Sequence, residues 1–174
     1  EFTTTFVSLG SNLGDRAGNL LLAVRGLTEA SFIVHRLSGV YETEPVGVES
    51  HDDYLNMVAE IHVKSISPSQ MMARMLRIEY LLGRQRTVAN APRTLDLDLL
   101  LFGDLQQQTE LVTLPHPKLH LRNFVLVPLA EIAPHVIHPG LNLSIQELLN
   151  ASPDHSKVRR WQPNERNLDT NEMH

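Results

Sequence analysis

An α+β domain built on an antiparallel sheet is what this sequence predicts, and three observations predict it. Leu55–Val63 alternates apolar and polar residues with the period of a strand. Ser67–Leu82 opens on a Ser-x-x-Gln capping box and continues with Met71, Met75, Ile78 and Leu82 at helical spacing. Together with their neighbours, these segments run strand, helix, strand, strand, helix, strand. That is the order of ferredoxin-like βαββαβ folds, in which two helices pack on one face of an antiparallel sheet.

The elements follow in order. Thr5–Leu9 reads as a short strand ending at Gly10-Ser11-Asn12. Asp15 then starts a helix with Leu20, Leu21, Val24 and Leu27 on its apolar side, weakened by Gly18 and Gly26. Phe32–Tyr41 has strand composition and stops before the turn-rich Glu44-Pro45-Val46-Gly47. In the alternating strand, Leu55, Met57, Ala59, Ile61 and Val63 share one face, and Asn56, Glu60 and His62 take the other. Pro68 suits the first position of the second helix, and Gly83 stops it. A polar loop, Arg84–Arg93, leads into a leucine-rich strand. Beyond Gly103, prolines break the pattern into loops and short helices, expected at Val125–Glu131 and Ser144–Leu149. Residues 1–150 therefore read as one domain, and 151–174 as a polar tail, partly ordered through Trp161.

Composition bounds the function. A chain of 174 residues with 42% hydrophobic content suits one domain with its own core. A formal charge of −5 argues against an extended basic face for nucleic acid. Cysteine is absent, which removes disulfides and thiolate metal sites and fits a reducing, cytoplasmic setting. No apolar run is long enough to cross a bilayer. The sequence names no protein partner.

The chemistry concentrates in "APRTLDLDLLLFG", residues 91–103. In a strand, Leu95, Leu97, Leu99 and Leu101 fall on one face and Asp96 and Asp98 on the other, with the two carboxylates about 6.6 Å apart along the strand. Buried bare, they would be costly. Paired on a wet cleft, they suit two Mg²⁺ ions, which take oxygen ligands and share substrate phosphates, and which sit about 4 Å apart in two-metal phosphoryl sites. An Asp-x-Asp alone is as readily a solvated edge strand. Arg84, Arg86 and Arg93 bracket this one, and guanidinium forks match phosphate oxygens. A solvated charge run balancing Glu79 and the aspartates explains the charges but not their position. No G-x-x-x-x-G-K-[ST] is present, so the phosphates would not be held by a P-loop.

The stretches "VSLGSNLGD" (7–15), "YETEPVG" (41–47), "DYLN" (53–56), "RIEYLLGRQR" (77–86), "PRTLDLDLLLFG" (92–103) and "LPHPKLHLRNFVLVPLAEIAP" (114–134) run in sequence. In these the chain resembles the 6-hydroxymethyl-7,8-dihydropterin pyrophosphokinases of folate biosynthesis. The resemblance implies transfer of pyrophosphate from ATP to the pterin's hydroxymethyl oxygen with release of AMP, aided by two Mg²⁺ ions, on a ferredoxin-like fold. It implies that Asp96 and Asp98 hold both metals and that Arg84 and Arg93 assist transfer from a mobile loop. His116, Arg122, Arg86, Thr113 and Leu99 would contact ATP. Tyr54, Asn56 and Phe124 would surround the pterin, with Thr43, Glu44 and Val46 in the adjoining loop. Some members carry a tryptophan in the catalytic loop, and "TVANAP" (87–92) has none. Leu111 stands where some members have an arginine near ATP.

Three other readings are distinguishable. Another nucleotidyl or phosphoryl transferase could use the same aspartates but would release a different product. A non-catalytic ferredoxin-like binding module for RNA would want sheet aromatics and a basic surface, against 5% aromatic content and negative charge. A zinc hydrolase would draw on the nine histidines, but His116-x-x-x-His120 contains Pro117 and no H-E-x-x-H exists.

Overall fold

A computed structural model of the chain describes residues 1–44, 53–83 and 94–163. Along the chain run β1 (Thr3–Ser11), α1 (Arg16–Glu29), β2 (Ile33–Leu37), β3 (Tyr41–Thr43), β4 (Tyr54–Val63), α2 (Pro68–Leu81) and β5 (Asp96–Phe102). There follow β6 (Gln107–Gln108), β7 (Thr113–Leu114), a short 3-10 helix (Leu119–Leu121), α3 (Asn123–Ile132), α4 (Ile145–Asn150) and β8 (Val158–Arg160). The main sheet has the order β5-β1-β4-β3-β8, with β2 also on β4, and every pair is antiparallel. β6 and β7 form a separate hairpin. The ferredoxin-like core is thus present.

The helices start where their caps dictate. Asp15 accepts from the Gly18 amide at the head of α1. Ser67 and Gln70 form the reciprocal capping box of α2, with Pro68 in its first turn. Gly26 brings the two helices close, since a Cβ there would lie 3.1 Å from Ile78 Cγ2. Their apolar sides cover Val7, Leu9, Leu55, Met57, Ala59, Ile61, Leu97 and Leu99. Leu21 departs from the expected stripe. It is 71% exposed, and Ala23 takes the buried place between Leu20 and Leu27.

Three further expectations are corrected. The predicted strand Phe32–Tyr41 is two strands, β2 and β3, both on β4. The break falls at Ser38, whose hydroxyl accepts from the Val58 amide and so substitutes for a ladder carbonyl. Leu101 does not share a face with Leu97 and Leu99. The β1–β5 register shifts between Phe6 and Val7, so Leu100 is an extra residue and the alternation flips beyond it. Leu100 and Leu101 then join Phe6 and Val58 in a second core, under Val125, Leu126 and Leu129 of α3 and Ile145 and Leu148 of α4. The second sheet face is therefore covered by helices at one end rather than open throughout. The short helix expected at Val125–Glu131 is α3, and Pro128 lies buried inside it.

Residues 151–163 do more than the expected tail. β8 adds a strand beside β3, and Trp161 packs on the helix-side core. Asp154 completes α3, whose own N-cap Arg122 makes no side-chain bond. The Asp154 carboxylate accepts from the Asn123 amide at 2.7 Å and from the Ser156 amide and hydroxyl at 2.9 and 2.6 Å. Burial alone would raise this carboxyl, but the bonds from Ser156 and Asn123 outweigh it and hold it below its ordinary 3.8. A carboxylate depressed on folding stabilises above its unfolded value and loses that contribution as pH falls through the folded one. Asp154→Ala is therefore expected to lower the free energy of unfolding by about 1 kcal/mol at neutral pH. Urea titrations should find the difference shrinking below the ordinary value of 3.8.

Candidate active site

Residues directly opposed in antiparallel strands share a face. The registers Asp96↔Gly10, Gly10↔Asn56 and Asn56↔Tyr41 set one row across β5, β1, β4 and β3. Asp98, Ser8 and Val58 form the next row, toward the second core, and Thr43 faces Tyr54 on the other side. The polar residues therefore gather at the end of the second face that lies away from the α3–α4 core.

Gly10 lets that row close up. A Cβ on it would stand 2.7 Å from Asn56 Oδ1, so the Asn56 side chain occupies the space a side chain of β1 would take. Asn56 is 4% exposed, yet it carries two donors and an acceptor. Thr43 Oγ1, equally secluded, has no hydrogen-bond partner among the described residues. A buried hydroxyl left so is costly unless a ligand completes it. Tyr54 is half-buried beside them, and Glu44 is exposed.

Asp96 and Asp98 are half-buried on the same face. Two carboxylates offer the hard oxygen donors that Mg²⁺ prefers, so the residues fit that ion. β5 is an edge strand, and two contacts close its free edge. The Leu97 amide donates to Glu79 Oε1 at 2.8 Å, and the Leu100 carbonyl accepts from the His116 amide at 2.9 Å. The free edge of the aspartate strand is thereby fixed both to α2 and to the His116 loop.

The His116 loop faces the aspartates. Burial holds the imidazole below its ordinary 6.5; the Asp98 carboxylate opposes this, and Arg122 and Lys118 reinforce it. The Lys118 amide donates to His116 Nδ1 at 3.1 Å. That bond assigns the proton of the neutral ring to Nε2, which leaves a neutral N–H donor. The Arg122 guanidinium carbon lies 5.5 Å from the centre of the Phe124 ring, a cation–π distance. Phe124 itself leans on the second core. Thr113 is half-buried on β7. Leu99 is 1% exposed, and its side chain packs in the helix-side core rather than in the cleft. Val46, Arg84, Arg86 and Arg93 lie outside the described residues.

Three features escaped the sequence. Gly10 reads as the end of a strand, yet a glycine inside a strand signals close approach. Glu79 reads as one charge among several, yet it is 2% exposed and holds the edge of β5. Arg159 gave no signal. Its guanidinium meets Glu42 at 2.7 Å and Asp53 at 2.8 Å, while Arg16 meets Glu42 at 2.8 Å and the Asp53 carbonyl at 2.7 Å. Burial pushes the Glu42 carboxyl up, but hydrogen bonds from Arg16 and Arg159 win and hold it below its ordinary value. The network joins the end of the chain before residue 45 to the chain after residue 52.

A family model, 7,8-dihydro-6-hydroxymethylpterin-pyrophosphokinase (HPPK), matches residues 6–134. The chain belongs to this family. The 2-amino-4-hydroxy-6-hydroxymethyldihydropteridine pyrophosphokinase of Bacillus subtilis (strain 168) is 41% identical over 90% of this chain and 89% of its own length. The protein of the same name from Haemophilus influenzae is 36% identical, over 90% of this chain and 97% of its own. The folic acid synthesis protein fol1 of Schizosaccharomyces pombe is 35% identical over 85% of this chain, which spans 20% of that longer protein. Among solved structures, Plasmodium falciparum HPPK-DHPS with pteroate superposes with a TM-score of 0.70 at 15% identity. It covers 87% of this chain, which spans 42% of the solved one, and the likeness supports the fold. The HPPK match ends at residue 134, so Asp154 and Arg159, which act on the site's neighbours, lie beyond it.

Glu79→Ala would leave the Leu97 amide without its carboxylate and is expected to cost about 1–3 kcal/mol of stability in urea titration. Glu79→Gln keeps an accepting oxygen and should recover most of that loss. Equal losses in both variants would mean that charge, not the hydrogen bond, is what Glu79 contributes.

Proposed function

We propose that this chain transfers a pyrophosphoryl group from ATP to the hydroxymethyl oxygen of 6-hydroxymethyl-7,8-dihydropterin, a step of folate biosynthesis, and releases AMP. The observation that carries the reading is the sheet row. It aligns an Asp-x-Asp strand with a secluded Asn56 across a glycine, in a chain whose residues 6–134 match the HPPK family.

The proposed division of labour follows from chemistry. Asn56 reads the amide–amidine edge of the pterin, using both donors and its acceptor. Thr43 Oγ1 finds its missing partner on the same ligand, and Tyr54 and Phe124 flank the flat ring, with Glu44 and Val46 in the adjoining loop. The His116 Nε2 proton and the Arg122 guanidinium point their positive ends to phosphate oxygens, supported by Arg86, Thr113 and the Leu99 backbone. Asp96 and Asp98 would hold two Mg²⁺ ions, which supply charge neutralisation on the polyphosphate. In the reaction the hydroxymethyl oxygen bonds to the β-phosphorus and the bond from that phosphorus to the bridging α–β oxygen breaks. AMP keeps that oxygen, and the hydroxyl proton passes to solvent. Arg84 and Arg93 would then stabilise charge spread over the transferring oxygens, and positioning supplies the rest. Both substrates are soluble metabolites, which assigns the enzyme to the cytoplasm with small-molecule partners rather than nucleic acid or membrane. Among the described residues, no helix is long and apolar enough to cross a membrane.

Asp96→Ala and Asp98→Ala should each lower turnover by roughly 10³-fold, because a metal contributes several kcal/mol of charge stabilisation. The fold should persist, since neither side chain belongs to either core. The product identifies the reaction: pyrophosphoryl transfer yields AMP only when the pterin is present. Release of inorganic pyrophosphate instead would make the chain a nucleotidyl transferase.

A further inference from the structure

Among the described residues, one group of three metal-ligating side chains converges away from the proposed active site: His35, Glu60 and His62. Glu60 and His62 lie on β4, two residues apart and on one face. Asn56 is four residues from Glu60 on the same strand, a span of about 13 Å. His62 Nε2 is 2.8 Å from Glu60 Oε2, and His35 Nε2 is 3.6 Å from the same oxygen. The two imidazoles are stacked, with centres 4.4 Å apart. One ligand atom from each of the three residues falls within 4.8 Å of the other two.

A bulge in β2 creates this convergence. Ile33 pairs with His62 and Val34 with Ile61, but Arg36, not His35, pairs with Glu60. His35 is thus an extra residue, and both it and Arg36 stand beside Glu60. Bulges commonly re-aim a side chain. Arg36 is drawn elsewhere, donating to the Ile132 carbonyl at 2.8 Å. Its guanidinium is therefore occupied at the end of α3, and His35 is left to meet the carboxylate. The Glu60 side chain is 12% exposed and that of His35 is 49% exposed, so an ion can enter from the His35 side.

We propose that His35, Glu60 and His62 form a binding site for one divalent transition-metal ion of the zinc class. Three protein ligands of the His₂-carboxylate type leave a fourth position for water. At bonds of about 2.0–2.1 Å, tetrahedral donors stand roughly 3.3 Å apart. The observed separations of 2.8 and 3.6 Å bracket that value. Two imidazoles and one carboxylate favour zinc, cobalt or nickel over magnesium, so this site and the aspartate pair would sort different ions. The ion would bridge β2 and β4 across the bulge and stabilise the fold by binding only its folded form.

The test uses the Asp96→Ala/Asp98→Ala double variant, in which the other cation site is removed. Cobalt(II) titration should give the visible absorption of a four-coordinate ion at one equivalent, displaced by zinc. Adding His62→Ala or His35→Ala should weaken binding at least tenfold and abolish that absorption. His35 is half-exposed, so its loss should leave the folded circular dichroism spectrum intact. In the chain with both aspartates, His35→Ala should leave magnesium-supported turnover unchanged. Absence of the cobalt spectrum, or cobalt binding equal in the histidine variants and their parent, would overturn the proposal.

Discussion

The candidate site depends on a side chain that is absent. β1 runs between β5 and β4, so any residue at position 10 stands between the aspartates and Asn56. Glycine there leaves a space, and Asn56 Oδ1 fills it, 2.7 Å from where a Cβ would be. Only then can a polar amide lie against the middle of the sheet with 4% exposure. The Asp-x-Asp strand is held in line with that amide by the register on which both pair with β1.

A second constraint separates the polar end of the sheet face from the apolar one. The extra residue at Leu100 turns the strand, so a segment that opens with carboxylates on the second face ends with Leu100 and Leu101 in a core on that same face. The bulge also frees the Leu100 carbonyl for the His116 amide. The histidine loop and the aspartates are thereby coupled through a backbone bond, while Glu79 accepts from the Leu97 amide of the same strand. One irregularity thus seats the α3–α4 layer and docks the histidine loop at the boundary between them.

Most of the core fold was legible because its signals are local. The Ser67–Gln70 box, the Asp15 cap and the alternation in β4 are written in adjacent residues, and each forms as read. The Asp-x-Asp pair was legible for the same reason: two residues apart on a strand means one face. What failed was nonlocal. The face of Leu101 depends on a bulge against β1, and the split between β2 and β3 on a serine that bonds to β4. The second helical layer, β8 and the Asp154 cap connect parts of the chain that are far apart in sequence. Leu99 shows the same limit at the site, since family likeness marks a position but not where its side chain packs. Arg84, Arg86 and Arg93 were legible from their place beside the Asp-x-Asp strand as well as from that likeness, and Val46 from the likeness.

The most direct test of this account is the affinity of Gly10→Ala for the pterin, measured calorimetrically in the presence of a non-hydrolysable ATP analogue and magnesium. A methyl group there must displace the Asn56 amide, a movable side chain rather than backbone, so the sheet should survive. The account predicts pterin affinity reduced at least tenfold, equivalent to about 1.4 kcal/mol, with analogue affinity and melting temperature close to those of the parent. Pterin affinity unchanged by the methyl group would contradict it.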